Sequence, residues 1–166
     1  MSDKEKLFEL PFPEIVGQYG RGYDELMEEV KAVPVEALHF RPETPDAWTI
    51  YEHIVHVVDC EVAFLMRLKY SIAEPGKNVT TIDGSAWQKK LYGHKENVLD
   101  YLEMFRLLRN INTHILADMT DAQALECHVT HPERGKQTLK YLCCVFTAHV
   151  PFHREYIRRN LDSWKK

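Results

Sequence analysis

The sequence predicts an all-α protein, a four-helix bundle with long connections between its helices. Three observations predict it. Four long stretches carry apolar residues at spacings of three and four, no convincing strand lies between them, and breaks rich in Pro and Gly separate the first three. At 166 residues, 45% of them apolar, the chain is large enough for one self-sufficient core, so residues 1–166 read as a single domain.

The first stretch covers residues 11–33, where Ile15, Tyr19, Tyr23, Leu26, Met27 and Val30 recur on one face and Pro34 ends the pattern. Residues 35–47 hold Pro42 and Pro45 and read as a connection. The second helix covers residues 48–70, capped by Thr49 or Asp46. Glu52 stands three residues after Thr49, as a capping box requires. Its apolar stripe includes Ile50, Ile54, Val57, Phe64 and Leu68. Residues 74–78 break it, and an irregular segment runs to about Trp87. The third helix covers residues 85–119, with room for an interruption near Gly93. Residues 126–137 read as a short hairpin or an ordered loop, since Val129 sits between His128 and His131 and Gly135 follows. The fourth helix covers residues 138–164 with Leu142, Val145, Phe146, Phe152, Tyr156, Ile157 and Leu161 in register.

Composition narrows the function. A net charge of −4 leaves no positive excess for phosphate backbones, which argues against nucleic-acid binding as the main role. The longest nearly uncharged run, 141–152, falls short of the roughly 20 residues of a membrane span, so no membrane partner is expected. The first residues lack the apolar stretch of a signal peptide. The four cysteines form no C-x-x-C pair, which fits a reduced, cytoplasmic compartment. Cys143 and Cys144 are neighbours about 100° apart on a helix, so at most one is expected in the core.

Nine histidines stand out. His149 and His153, four residues apart, share a helix face and can share a metal. Chance alone would give about 0.4 such pairs, so spacing needs context. The context is apolar: Val145, Phe146, Phe152 and Ile157 surround the pair, and buried imidazoles need partners. Pro151 between them predicts a kink that either aims the ligands or is a tolerated bend. On the second helix His53 and His56 lie about 60° apart. His56, flanked by Ile54, Val55, Val57 and Val58, is the better ligand, and His53 lies at the more polar helix start. Asp59 could accept a ligand's ring N–H or be an exposed helix acid, and Cys60 reads first as a small core residue. His56, His149 and His153 without an obligatory fourth ligand describe an open, reactive divalent-metal site. Asp83, His128 and His131 stand on segments that could reach its mouth, or are plain loop residues. His39, His94 and His114 read as helix-face or surface residues.

The run from Trp48 through Thr49, Glu52, His53, His56 and Asp59, followed far downstream by His149-x-x-x-His153, resembles the DinB/YfiT-like family of metalloenzymes. That family opens its second helix with Trp-Ser/Thr, carries a Glu, places a ligand histidine eight residues after the Trp, adds an acidic residue, and ends on a helix with His-x-x-x-His. Trp48, Glu52, His56, Asp59, His149 and His153 occupy those positions, and Arg41-Pro42 matches the stretch before the Trp. The resemblance implies a four-helix bundle, often dimeric, with a divalent metal on His56, His149 and His153, supported by Asp59 and Glu52. Zn or Ni ranks ahead of Fe, Mn or Cu. It implies a small-molecule substrate and, by likeness to some members, an S-transferase using a low-molecular-weight thiol, or a hydrolase. The alternative is a bundle that binds a metal or small ligand without turnover.

Overall fold

The computed structural model describes residues 3–91 and 97–166. The four amphipathic stretches become four rods. The first is α2 (Phe12–Gly20) continued by α3 (Gly22–Val30). The second is α4 (Ile50–Ala73), the third α6 (Val98–Leu116) and the fourth α8 (Leu139–Trp164). Three short helices accompany them: α1 (Asp3–Phe8), α5 (Gly84–Lys90) and α7 (Asp121–Glu126). An antiparallel hairpin, β1 (His128–His131) with β2 (Gly135–Thr138), precedes α8. Three residues join the strands, and Gly135, the first residue of β2, takes φ 67°, a left-handed conformation that glycine adopts without strain.

The rods form a ring in the order α2/α3, α6, α4, α8. Consecutive rods α2/α3 and α4 are therefore diagonal, as are α6 and α8, and a diagonal crossing needs the long connections that the prolines announced. The same ring puts α4 and α8 side by side, which brings residues 100 apart in sequence face to face.

Local chemistry explains the ends. Thr49 accepts from Glu52 N at 3.1 Å while Glu52 Oε2 accepts from Thr49 N at 2.8 Å, the expected capping box. The helix begins at Ile50, so Trp48 stands just outside it. Two departures from the sequence reading concern continuity. The stretch 11–33 is broken at Arg21, because the Tyr19 carbonyl accepts from the buried Arg109 guanidinium at 2.6 Å. Gly22 follows because a Cβ there would lie 2.8 Å from Arg109 Nη1. The stretch 85–119 is two helices, α5 and α6; the interruption expected near Gly93, and His94, lie outside the described residues. Helix α8 runs uninterrupted through Pro151, whose ring faces solvent.

Two apolar clusters stack along the bundle. One gathers Phe12, Ile15, Phe64, Leu68, Leu116 and Leu142, the other Leu26, Ile54, Val57, Phe105, Val150 and Ile157. Between them lies a buried polar layer. Arg109 Nη2 sits 3.0 Å from Glu61 Oε2 and also donates to the Phe146 carbonyl at 3.0 Å. Asn112 and the Tyr19 hydroxyl donate to Glu61 Oε1. Burial pushes the Glu61 carboxyl up, and these donors oppose it. Cys143 and Cys144 are both fully buried, against the expectation that at most one would be. The reason is α1 and α7, which cover the face of α8 that a bare four-rod bundle would leave wet.

Candidate metal centre

Helix α4 brings His53 and His56 to the seam with α8, which brings His149 and His153. His153 is 4% exposed and lies at the centre. Its Nε2 is 3.0 Å from His149 Nε2, and its Nδ1 is 3.0 Å from His53 Nδ1. The His56 ring lies 5.0 Å from the His153 ring and 5.3 Å from the His149 ring, centroid to centroid. The three residues favoured as ligands thus meet in one cluster. His53, set aside in the sequence reading, meets them too. Residues three apart are only about 60° apart around a helix, and α8 lies along the seam between them.

Packing holds the rings. Trp48 covers the cluster, edge-on to His56 at 4.9 Å and stacked on His153 at 6.3 Å. Asn160 of α8 donates to the Trp48 carbonyl at 2.7 Å and so anchors that cover. Tyr156 stacks on His53 at 5.2 Å. Helix α5 closes on His56 at Gly84, where a Cβ would lie 2.8 Å from the imidazole; only glycine lets the backbone approach so closely. Burial lowers the pKa of His53 and His56 to about 4 and of His149 to about 3, and it pushes His153 lower still, with the neighbouring imidazoles acting in the same direction. All four rings are therefore neutral at pH 7, the form a metal requires.

Cys60 is not simply a core residue. Its Sγ lies 3.5 Å from His56 Nε2, and His56, Cys60 and His149 offer ligand atoms within 4.8 Å of one another. Burial and the Asp59 charge push its thiol up to about 12. Glu52 spends its carboxylate on the capping box and on Arg41 Nη2 at 2.6 Å, which places its contribution at the helix start. Asp59 lines a separate cavity with Val62, Met66 and Trp87, and is absent from the described lining of both histidine cavities.

Two cavities meet at the cluster, sharing Trp48, His56 and His149 as walls. The larger, about 760 Å³, runs between α4, α8 and the hairpin; the other, about 550 Å³, is bounded by Phe152, Tyr156 and Arg159. His131 and Asp83 both reach the larger one. His131 is buried and accepts from Glu133 N at 3.2 Å, while Asp83 caps α5 by accepting from Ala86 N at 2.9 Å. His128 bonds the Glu126 carbonyl, His114 is exposed, and His39 lies against Tyr51. Arg67 and Arg134, which sequence reasoning passed over, also line the larger cavity. Nothing local to either arginine signals this, because the hairpin and α4 are far apart in the chain.

The donor set fits a divalent cation. Two nitrogens each 2.0–2.1 Å from one tetrahedral ion are about 3.3 Å apart, close to the observed His149–His153 separation. Among the described residues His53 Nε2 is buried without a hydrogen-bond partner, and His53 Nδ1 is the atom that engages His153.

A four-helix bundle with converging neutral imidazoles on adjacent helices is the arrangement in which helical bundles build metal sites. The family match narrows it: the DinB superfamily model matches residues 18–157, and the chain belongs to that superfamily. Among solved structures it is similar to YfiT from Bacillus subtilis, described as a probable metal-dependent hydrolase with an unusual four-helix bundle topology. The two share 19% identity at a TM-score of 0.83, over 93% of this chain and 87% of that one, a likeness of fold. No curated protein matches the chain.

Proposed function

We propose that this protein is a metal-dependent enzyme in which His56, His149 and His153 hold a divalent cation beside a cavity for a small-molecule substrate. The observation that carries the reading is the convergence of these imidazoles, all kept neutral by burial, with His56 and His149 on the wall shared by two cavities and His153 facing the smaller one. A cation held there with a free coordination position would polarise a substrate oxygen or activate a thiol.

The chain's own residues do the rest. His53 orients His153, Trp48 covers the cluster, and Gly84 lets α5 press His56 into place. Leu142, Val145 and Phe146 line the larger cavity beyond the cluster with apolar surface. Hydrolysis is the chemistry stated for YfiT, and it is the leading form of the proposal. Thiol-dependent S-transfer with a low-molecular-weight thiol is the second form, and two cavities meeting at one cluster suit a reaction of two substrates. We place the protein in the cytoplasm with Zn or Ni as the preferred metal.

One observation favours a non-catalytic reading. If Cys60 joined the histidines, the site would close to four ligands, as structural and storage sites do. Cobalt substitution separates the two: a thiolate charge-transfer band that Cys60→Ser abolishes would support closure, and its absence supports the open site.

Elemental mass spectrometry on untagged protein tests the proposal. Near-stoichiometric metal in wild type, lost in His153→Ala with helicity unchanged, is the expected result. Wild type that stays empty after incubation with Zn and with Ni would end it.

A further inference from the structure

The larger cavity has three zones along its length. His56, Cys60 and His149 form one end, Ala63, Leu142, Val145 and Phe146 an apolar middle, and Arg67, Arg134 and His131 the other end. His56, Cys60, Ala63 and Arg67 follow spacings of four, three and four, so α4 presents them on one face. At 1.5 Å per residue, His56 and Arg67 are about 16 Å apart along the axis at their backbones, and the side chains narrow that gap.

Arg67 is half-buried. Among the described residues its guanidinium makes one hydrogen bond, from Nη2 to the Thr80 carbonyl at 3.1 Å, and no ion pair. A guanidinium has five N–H donors, so four remain for a ligand. Arg134 also lacks an ion pair among the described residues, and its charge works against that of Arg67, as burial does. The acids of the same wall do not answer them. Asp83 caps α5 and stands next to Gly84 at the histidine end, and Glu133 is exposed on the hairpin turn without an ion pair among the described residues. Two guanidinium groups held near each other beside an apolar wall, with no carboxylate bridging them among the described residues, repel one another, and a ligand anion would relieve that repulsion with charged hydrogen bonds.

We propose that this end of the cavity is a subsite for an organic anion, a carboxylate or phosphate on an apolar body, received by Arg67 with Arg134. The subsite deepens the enzymatic reading, since it would lay the ligand's far end at the histidine cluster, but the anion contact itself does not depend on a metal.

Calorimetric titration tests it with three probes of one chain length: octanoate, its neutral counterpart octanamide, and octyl phosphate. Each is titrated into metal-loaded protein and into protein stripped by chelation. Octanoate or octyl phosphate, or both, should bind in either state, and whichever binds tighter identifies the anion class. Octanamide should not bind. Arg67→Gln should weaken the anion by about tenfold or more, the range expected when a charged hydrogen bond is lost, and Arg67→Lys should restore part of it. Arg134→Gln, on the exposed turn where folding is not at stake, should weaken it as well. Octanamide binding as tightly as octanoate would overturn the proposal, as would affinity unchanged in Arg67→Gln. Affinity that follows the metal rather than Arg67 would also overturn it, by placing the carboxylate on the cation. Anion binding through Arg67 in a protein that never takes up metal would uphold the subsite and remove only the reaction centre beside it.

Discussion

At the centre of the cluster His153 is held from both sides, by His149 at Nε2 and by His53 at Nδ1. The second contact does for His153 what a carboxylate does for many ligand histidines, fixing the ring's orientation so that Nε2 points at His149 and the proposed cation. His53→Leu should therefore weaken metal affinity by about 10–100-fold. In metal-free protein the same change should cost little stability, because it also removes a buried Nε2 that has no partner among the described residues. His53→Gln, which keeps an acceptor, should recover part of the affinity. Competition against a chromophoric chelator, with thermal melts alongside, reads both effects, and unchanged affinity in His53→Leu would reduce His53 to a packing residue. The place of His56 at the seam was legible from its apolar flanks, a local property. That of His53 was not, because it comes from α8 lying over a face the α4 sequence does not mark.

At the scale of elements, the polar layer of Tyr19, Glu61, Arg109 and Asn112 ties the rods together. Arg109 alone reaches the carbonyls of Tyr19 on α2 and Phe146 on α8 and the carboxylate of Glu61 on α4. Glu61→Leu would leave a guanidinium buried without its counter-ion and should cost about 3–5 kcal/mol. Glu61→Leu with Arg109→Met removes both charges and should lose markedly less. Urea unfolding of the two variants decides it, and equal losses would contradict the ion-pair account. The same layer breaks the first rod at Arg21, so a feature written in α6 ends a helix ninety residues upstream. The second helix was read more accurately, since Thr49 and Glu52 form its cap from three residues' separation. Helices α1 and α7 are too short for periodicity to show, yet they bury Cys143 and Cys144.

At the scale of the whole molecule, the buried histidines make stability depend on pH. In the unfolded chain they take up protons near pH 6.5, whereas in the fold His53 and His56 do so only near 4 and His149 near 3. The unfolded state therefore binds more protons between those values. Stability is fully present above pH 6.5 and falls as pH drops toward 4, by about 1.4 kcal/mol per pH unit for each such histidine. Metal-free protein melted from pH 7.5 to 4.5 should lose melting temperature steeply below 6.5, and a flat profile would refute the buried, neutral cluster. The loss of metal affinity that ordinary histidines would show below about pH 6 is expected at lower pH in the folded site, where unfolding overtakes it. A metal bound as proposed would join α4 to α8, so chelation should lower the melting temperature. Helix α6 leaves Met104, Leu107 and Ile111 exposed at spacings of three and four, an apolar face on which we expect the homodimer to form. Sedimentation should show a dimer that Leu107→Lys converts to monomer, and a wild type that stays monomeric at high concentration excludes it.

The sequence by itself determined the four amphipathic rods, the capped start of α4 and the spacing of His56, His149 and His153. Each is a property of neighbours within a turn or two of helix, where propensity, capping and periodicity act. The family pattern was legible for the same reason, because its motifs lie within single helices. No helix among the described residues is long and apolar enough to cross a membrane. Only the tertiary structure decided that the ring order sets α4 against α8, that His53 and Cys60 join the histidines, and that the hairpin carries Arg134 and His131 to the cavity where Arg67 ends. Those facts depend on which surfaces bury one another across a hundred residues of chain, and such a choice is made by the packing of the whole core rather than by any segment of it.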